Sequence, residues 1–285
     1  MKFVSANGLI LPTLGQGGWR IGDNPKKAED EIKAMLLGID LGLTLIDTAE
    51  MYGEGDSETL IGKALAEKNR ADYQLVSKVY PHNAGKKNIF ASCEASLRRL
   101  RTDYLDVYLL HWRGSVPLEE TVECMETLVR SGKIRRWGVS NFDVSDMEEL
   151  WNIPDGKNCA VDQVLYNLGS RGIEFDLIPW LKEHNVAVMA YCPLAQAGTL
   201  RRLALNFEKD QLLLKIASRY NISLMQLLLA FVLKQDNLIA IPKSGSIEHV
   251  KENAHTRDIS IAAEDWACID KIYWPPTEKM FLDME

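Results

Sequence analysis

The chain has 285 residues, of which 26% are charged and 46% hydrophobic, and its formal net charge is −7. This acidic balance argues against nucleic acid or an anionic membrane surface as a partner. The basic doublets Arg135-Arg136 and Arg201-Arg202 stand alone, and we interpret them as solvated surface rather than phosphate-binding tracks. No linker or change of composition divides the chain, so we expect residues 1–285 to form one domain.

Cysteine usage and hydropathy bear on the compartment. The cysteines are odd in number and form no C-x-x-C pair; they are Cys93, Cys124, Cys159, Cys192 and Cys268. This pattern is typical of a reducing compartment and gives no sign of a disulfide framework or a metal site. The most apolar stretch, residues 224–233, is too short to span a bilayer. We therefore expect a cytoplasmic monomer that binds no membrane and no metal.

The predicted elements begin with a hairpin and continue as an alternation. Residues 2–6 and 9–11 flank Asn7-Gly8, a strong hairpin signal. Strand-like runs then follow at 14–17, 43–47, 73–78, 105–111, 134–140, 161–164, 186–190 and 238–242. Amphipathic stretches lie between them, among them 28–41, 56–68, 87–100 and 118–131.

Strands that alternate with helices predict a parallel sheet. The simplest form is an α/β fold of the (β/α)8 TIM barrel type with a short N-terminal β-hairpin. An open doubly wound sheet is the competing architecture. Gly42, Gly132 and Asn185 follow helical stretches and suit helix C-termini, and Asp143 and Ser145 suit N-caps.

Two segments depart from the alternation. Residues 195–207 form a long connection that leads into consecutive helical stretches at 209–219 and 224–234. The tail carries Tyr273-Trp274-Pro275-Pro276, which is not helical through its prolines. Long loops at a barrel mouth commonly hold substrate.

Polar residues stand at the carboxyl ends of three predicted strands, where a barrel gathers its catalytic groups. Asp47 ends the second strand and Tyr52 follows it closely, while Lys78 and His111 end the third and fourth. A carbonyl that accepts hydride develops negative charge on oxygen, so it needs a proton donor and hydrogen-bond donors. Tyr52 could supply the proton, and a cation at Lys78 would lower the pKa of that phenol. Asp47 could hold the Lys78 ammonium, and His111 could orient the carbonyl.

Each of these residues also has an ordinary structural explanation when taken alone. Tyr52 could be a boundary aromatic, and Lys78 a solvated or ion-paired lysine at a strand end. Asp47 could form a turn, and His111 could be a satisfied polar group of the core. Their coincidence at one end of the predicted barrel favours the functional interpretation.

The amino-acid sequence around these residues resembles that of the aldo-keto reductase family. The matching blocks, in order, are Leu45-Ile46-Asp47-Thr48-Ala49-Glu50-Met51-Tyr52-Gly53, Val76-Ser77-Lys78-Val79, Leu109-Leu110-His111-Trp112, Gly138-Val139-Ser140-Asn141-Phe142 and Ile241-Pro242-Lys243-Ser244. The resemblance is nearest to bacterial members that reduce small aldehydes and ketoaldehydes such as methylglyoxal. It implies a (β/α) barrel with an N-terminal hairpin, a nicotinamide dinucleotide, usually NADPH, and neither metal nor flavin.

The resemblance also implies roles for individual positions. The catalytic tetrad would be Asp47, Tyr52, Lys78 and His111, with Tyr52 as the general acid. The nicotinamide would be held by Ser140, Asn141, Gln163 and Tyr191. Serine, asparagine and glutamine supply donors and acceptors for a carboxamide, and an aromatic face fits one side of the ring.

A third set of positions matches contacts to the rest of the dinucleotide. By resemblance, Lys243 and Ser244 contact the 2′-phosphate of NADP, and Glu252 and Asn253 contact the adenine. His249 stands where many members carry an arginine that stacks on adenine and bridges the 2′-phosphate. Neutral histidine can stack but brings no fixed charge. We therefore expect NADP(H) as cofactor and leave NAD(H) use open.

The aromatic residues Trp19, Tyr80 and Trp112 match the family's substrate pocket, which implies a mostly apolar site with one polar centre. Residues 15–18 lack the G-x-G-x-x-G spacing of a Rossmann site and are expected to allow close backbone approach around Trp19. The short loop after Trp112 and the short tail suggest an open site for small carbonyl substrates.

Two other classes of function stay open at this point. A regulatory or binding protein would share the fold and cofactor but turn over slowly. A Schiff-base lyase or aldolase would use Lys78 as a nucleophile, and it would give no role to Tyr52 or to Lys243 and Ser244.

Overall fold

The opening hairpin is present as predicted. A computed structural model describes residues 2–200 and 205–285, so the Arg201-Arg202 doublet lies outside the described residues. Strand β1 (Phe3–Ala6) pairs antiparallel with β2 (Leu9–Pro12). Asn7 and Gly8 between them both have positive φ, as a tight hairpin turn requires.

The alternation that follows contains the predicted strands and further short elements. In chain order these are β3 (Gln16–Gly17), α1 (Ala28–Asp40), β4 (Leu45–Asp47), α2 (Asp56–Ala64), β5 (Gln74–Val79), α3 (Ile89–Leu100), β6 (Leu105–Leu110), α4 (Leu118–Arg130), β7 (Ile134–Ser140), α5 (Val144–Trp151), β8 (Val161–Leu165), α6 (Leu177–Glu183), β9 (Ala187–Tyr191), α7 (Ala195–Gly198), β10 (Thr199–Leu200), β11 (Leu205–Asn206), α8 (Gln211–Arg219), α9 (Leu224–Leu233), β12 (Leu238–Ala240), α10 (Ile247–His255) and α11 (Ala263–Asp270).

The large sheet closes on itself. Its parallel strands run in the order β12-β9-β8-β7-β6-β5-β4-β3. Parallel bridges between Leu14 and Ala240 and between Gly17 and Lys243 join the two end strands. The Gly17 amide donates to the Pro242 carbonyl across this seam at 3.0 Å. The predicted (β/α)8 barrel is therefore confirmed, and the open doubly wound alternative is wrong.

Two apolar layers pack against the strands. Because strand side chains alternate, Val76 and Lys78 of β5 point into the barrel while Leu75 and Ser77 face the helices. The interior layer includes Val4, Ala6, Leu11, Leu45, Val76, Val107, Leu109, Val161, Met189 and Ile239. Residues of the hairpin belong to this layer, so β1 and β2 plug the amino end of the barrel. The polar side chains of the interior are left at the carboxyl end, which forms the mouth.

Helix ends follow the predicted signals with one exception. Gly42, Gly132 and Asn185 all adopt positive φ after their helices. Asp143 is the N-cap of α5 and forms a capping box with Asp146. The alternative N-cap, Ser145, was wrong, since it lies inside that helix.

Helix α2 is shorter than the predicted 56–68. It ends at Ala64, and the next residue, Leu65, is buried and forms the C-cap. Residues 66 and 67 are exposed, so they have no core contact that would extend the helix. Helical stability comes mainly from the packing of an apolar face, which explains the early end.

The predicted long connection, 195–207, contains the turn α7 and the two-residue strands β10 and β11, which pair with each other. Residues 201–204 of this connection lie outside the described part of the chain. Helices α8 and α9 follow as expected. Within the described ranges no single helix is long and apolar enough to cross a membrane. Helices α8 and α9 reach that length and apolarity only when taken together, and a bend of 86° separates them.

Candidate active site

The buried chain Asp47–Lys78–Tyr52 lies at the carboxyl end of the barrel. The Lys78 ammonium donates hydrogen bonds to Oδ2 of Asp47 at 2.8 Å, to the Thr48 carbonyl at 2.8 Å and to the Tyr52 hydroxyl at 3.0 Å. Lys78 is 0% exposed and Asp47 2%. An ammonium has only three N–H donors, and all of them are used here. Lys78 therefore holds a fixed position between the carboxylate and the phenol.

The sequence places Tyr52 in a sharp turn directly after β4. Tyr52–Gly55 is a short 3₁₀ segment in which Gly53, Glu54 and Gly55 all have positive φ. Such backbone favours glycine, which explains two of these positions. A side chain at Gly55 would also collide with Arg99, whose Cδ lies 2.6 Å from a Cβ built there. Tyr52, the first residue of this turn, thus lies at the mouth of the barrel.

Burial sets the protonation states of the ion pair. Burial raises the pKa of Asp47, and Lys78 opposes this shift. Burial lowers the pKa of Lys78, and Asp47 opposes that shift, with a smaller contribution from Glu58. Because each partner stabilises the charge of the other, the pair is retained as carboxylate and ammonium.

Tyr52 differs from the expectation that Lys78 would lower the pKa of its phenol. Burial raises that pKa well above its usual value, and the nearby Asp47 and Cys192 raise it further. The phenol therefore stays protonated at neutral pH. The Lys78 ammonium thus donates its hydrogen bond at 3.0 Å to the oxygen of a neutral phenol.

His111 lies directly after β6 beside Tyr52. The two ring centroids are 5.8 Å apart, and the Trp112 ring lies 4.8 Å from the imidazole on its other side. Burial lowers the pKa of His111 to about 2, and the positive charge of Lys78 contributes to the shift. The imidazole is therefore neutral. Its buried Nδ1 has no hydrogen-bond partner among the described residues.

The four residues expected to hold the nicotinamide form one network. The Ser140 hydroxyl donates to the Gln163 carbonyl at 2.7 Å, across paired positions of β7 and β8. The Asn141 amide donates to the Ser140 hydroxyl and to the His111 carbonyl, both at 3.2 Å. The Tyr191 hydroxyl donates to the Asn141 amide oxygen at 2.9 Å. The predicted carboxamide set thus touches the tetrad through His111.

The residues expected near the 2′-phosphate and adenine lie together at β12 and α10. Lys243 and Ser244 precede the N-cap of α10, and His249 lies in the first turn of that helix. Lys243 and His249 are exposed, whereas Asn253 is buried. A helix N-terminus with a nearby lysine is a favourable place for a phosphate.

The aromatic side chains predicted for the substrate pocket surround the tetrad. Trp19 contacts Tyr52 edge-on with ring centroids 4.9 Å apart, and Tyr80 contacts Trp112 in the same way at 6.0 Å. The predicted close approach near Trp19 is present, because a Cβ on Gly18 would lie 2.7 Å from the Asp47 carbonyl oxygen. An apolar collar thus encloses the polar centre.

The tail covers more of the mouth than its length suggested. Lys279 forms ion pairs with Asp143 and Asp176, which fasten the tail to the outside of the barrel. Farther along, the Glu285 amide donates to the Tyr191 hydroxyl at 3.3 Å. The tail therefore lies against Tyr191 on the β9 side of the mouth, a contact that its short length did not predict.

Sequence reasoning missed two buried residues of α2 that support the site. Ser57 bonds to the Thr48 hydroxyl and to the Gly18 carbonyl, each at 2.9 Å, and so ties the loops that carry the tetrad and Trp19. Glu58 is 0% exposed and accepts from Ser77 at 2.5 Å. A signal was available, because Glu58 shares its helix face with Ile61 and therefore had to be a buried carboxylate.

The fold and the mouth define a reductase barrel, and comparison with known proteins agrees. Residues 13–273 match the model of the aldo/keto reductase family. The chain belongs to this family, as its sequence blocks predicted.

Named relatives and solved structures cover almost the whole chain. It is 52% identical to the methylglyoxal reductase YeaE of Escherichia coli over 284 residues, 99% of each chain. It is 33% identical to the glyoxal reductase of Bacillus subtilis, over 93% of this chain and 90% of that one. A crystal structure of an aldo/keto reductase from Klebsiella pneumoniae with NADP and acetate superposes with a TM-score of 0.95, at 51% identity over 100% of this chain and 99% of that one.

Proposed function

We propose that this protein reduces small aldehydes and ketones, methylglyoxal among them, to alcohols with NADPH. The observation that carries the proposal is the buried Asp47–Lys78–Tyr52 chain, which ends in a protonated phenol at the mouth. The names of the relatives support the substrate class, since they include a methylglyoxal reductase and a glyoxal reductase. The family model covers most of the chain and supports the view that residues 1–285 act as one reductase domain.

The residues at the mouth fit a nicotinamide dinucleotide. Ser140, Asn141 and Gln163 offer amide and hydroxyl groups beside the Tyr191 ring, as a carboxamide and its ring require. Lys243 and Ser244 at the start of α10 suit the 2′-phosphate. Related structures contain NADP or NADPH. When bound, the dinucleotide supplies a hydride to the carbonyl carbon.

The residues of the tetrad handle the charge that forms on the carbonyl oxygen. We assign the proton to the Tyr52 hydroxyl, which transfers it to that oxygen as the C–O double bond becomes single. The negative charge left on Tyr52 is stabilised by the Lys78 hydrogen bond, and Asp47 keeps Lys78 charged and in place. Neutral His111 donates a hydrogen bond that orients the carbonyl.

The direct test is NADPH oxidation with methylglyoxal, comparing the unmodified protein with Tyr52→Phe. General acids contribute roughly 100- to 10,000-fold, so we expect kcat to fall by an amount in that range. NADPH binding, followed by protein fluorescence, should persist. Tyr104→Phe is the matched control, because it removes the same hydroxyl near the amino end of β6 and should leave kcat unchanged.

Other outcomes would point to the other classes of function. Tight NADPH binding without turnover in the unmodified protein would favour a regulatory role. Borohydride trapping of substrate on Lys78 would favour a Schiff-base enzyme. That outcome would conflict with the geometry, because all three donors of the Lys78 ammonium are engaged and the ammonium is paired with Asp47.

A further inference from the structure

A hydrogen bond across the barrel joins Gln163, one of the residues expected to hold the nicotinamide, to Asp47 of the tetrad. The amide nitrogen of Gln163 donates to Oδ1 of Asp47 at 2.8 Å and to Sδ of Met189 at 3.0 Å. Gln163 and Asp47 are 116 positions apart in sequence, and they lie on β8 and β4. Gln163 is 1% exposed. The contact therefore belongs to the packed interior.

The direction of this hydrogen bond is fixed by its partners. Asp47 is an acceptor when ionised, so the amide must present its nitrogen and not its oxygen. Both N–H groups of the Gln163 amide are then engaged, by Asp47 and Met189, and only its oxygen is left to accept from a carboxamide. The backbone of Gln163 is held as well, since Ser140 donates to its carbonyl at 2.7 Å.

The two oxygens of Asp47 thus have different partners on different sides. Oδ2 accepts from Lys78 of β5 and Oδ1 accepts from Gln163 of β8. These two bonds set the plane of the carboxylate, and that plane in turn directs the Lys78 ammonium toward Tyr52. Without the amide donor, Oδ1 would be a buried acceptor with no partner, and a carboxylate in that position is disfavoured.

We propose that Gln163 is a positioning residue for the proton donor. It keeps Asp47 ionised and directed at Lys78, and so couples the residues expected to hold the nicotinamide to Tyr52. The proposal rests on the proposed reductase function for its kinetic consequence but not for its structural one. It differs from a role in holding cofactor alone, because it predicts an effect on Asp47 in protein that has no cofactor bound.

Several charged or titratable groups lie near Asp47 and Lys78, and they bear on the protonation of this site. Lys78 contacts the carboxylate directly and donates to Tyr52, and the nearby Asp47 and Cys192 raise the pKa of the Tyr52 phenol. Glu58 acts on Lys78 from α2. His111 is close enough to feel the charge of Lys78, but its imidazole is neutral. Replacement of Gln163 leaves all of them in place, so a change at Asp47 would report the lost amide.

The test uses Gln163→Met, which keeps the length of the side chain and removes its donors. Carbon-13 NMR of labelled aspartate follows the Asp47 carboxyl with pH, and Asp47→Asn identifies its signal. We expect the midpoint to rise by about one pH unit in Gln163→Met, because a donor to an ionised carboxylate favours the charged form. Gln235→Met is the control; its amide donates to the Tyr166 hydroxyl at 3.0 Å, away from Asp47.

Kinetics on the cofactor-saturated enzyme supply the second readout. The acid limb of the kcat profile should move upward with Asp47, and kcat at neutral pH should fall roughly tenfold. Gln163→Leu also removes the amide donors, and it serves if Gln163→Met does not fold; the Asp47 midpoint should again rise. An Asp47 titration unchanged from the unmodified protein, with only the KM for NADPH raised, would overturn the proposal. If the unmodified protein showed no turnover, the reductase function would fail while the NMR titration still decided the role of Gln163.

Discussion

The two sides of the barrel mouth are built differently. On the β4–β6 side, the side chains of Asp47, Tyr52, Lys78 and His111 are at most 8% exposed. On the β12–α10 side, Lys243 and His249 are exposed, and within residues 2–200 and 205–285 no carboxylate lies at ion-pair distance from Lys243. The first side is preorganised by burial and hydrogen bonds, whereas the second offers charge to a ligand through solvent. Substitutions on the buried side should therefore lower both activity and stability. Substitutions on the exposed side should have smaller effects and should leave stability unchanged.

The largest effect is expected from breaking the buried ion pair. Lys78→Met leaves the Asp47 carboxylate without its partner, and loss of one member of a buried pair costs about 3–5 kcal/mol of unfolding free energy. Urea unfolding followed by circular dichroism measures this loss. The double variant Asp47→Asn/Lys78→Met should recover a large part of it, because no uncompensated charge remains. A loss below about 1 kcal/mol in the single variant would mean that the pair is far more hydrated than its burial indicates.

The next effect is a pH dependence of stability from His111. Its folded pKa of about 2 lies below the usual value of 6.5, so the unfolded chain binds more protons between these values. Stability from this group is therefore present above about pH 6.5 and is lost as the pH falls. Between pH 7 and pH 5 the loss should be about 2 kcal/mol.

The comparison that tests this is His111→Gln against the unmodified protein, with unfolding free energies measured by urea at both pH values. The variant should lose less stability on acidification. His82→Gln is the matched control, because His82 is exposed and lies in the loop after β5. Equal acid sensitivity of His111→Gln and the unmodified protein would show that the buried imidazole is not the source of the effect.

On the exposed side, Lys243→Met should change cofactor affinity without changing stability. We expect the KM for NADPH to rise roughly tenfold, with kcat and the KM for NADH nearly unchanged, because only the 2′-phosphate is lost as a partner. Added salt should reduce the difference between the two proteins. Lys251→Met, on the exposed part of α10, is the control. A matching rise in the KM for NADH would place Lys243 elsewhere than at the 2′-phosphate.

The difference between the two sides also explains what the sequence could predict. The barrel followed from the alternation of apolar runs and the hairpin from Asn7-Gly8. The grouping of Asp47, Tyr52, Lys78 and His111 followed from their places at the strand ends, because parallel strands bring those ends together. The raised pKa of the Tyr52 phenol could not be predicted from the sequence. Proximity to Lys78 argued for a lower pKa, but burial proved larger, and burial depends on packing that a linear pattern does not give.

Long-range contacts were the other gap. The bond from Gln163 to Asp47 joins residues 116 positions apart, and the contact of Glu285 with Tyr191 depends on the course of an irregular tail. Neither has a periodicity that could be recognised in the sequence. The buried Glu58 was recoverable in principle, because the helical spacing from Ile61 puts a carboxylate on an apolar face.

The smallest effect should come from His249→Arg, which gives the exposed side the charge that many family members have there. His249 lies in the first turn of α10 beside Ser246. An arginine brings a permanent charge and a planar group, so NADPH should bind more tightly. Since the position is exposed, screening limits the gain to roughly threefold at low salt, and the helix dipole opposes a cation there slightly. Titration of NADPH by fluorescence measures this gain, with NADH as the reference ligand. Tightening of NADPH alone would mean that the new charge reaches the 2′-phosphate, whereas equal tightening of both cofactors would mean that the arginine acts by stacking on the part that they share.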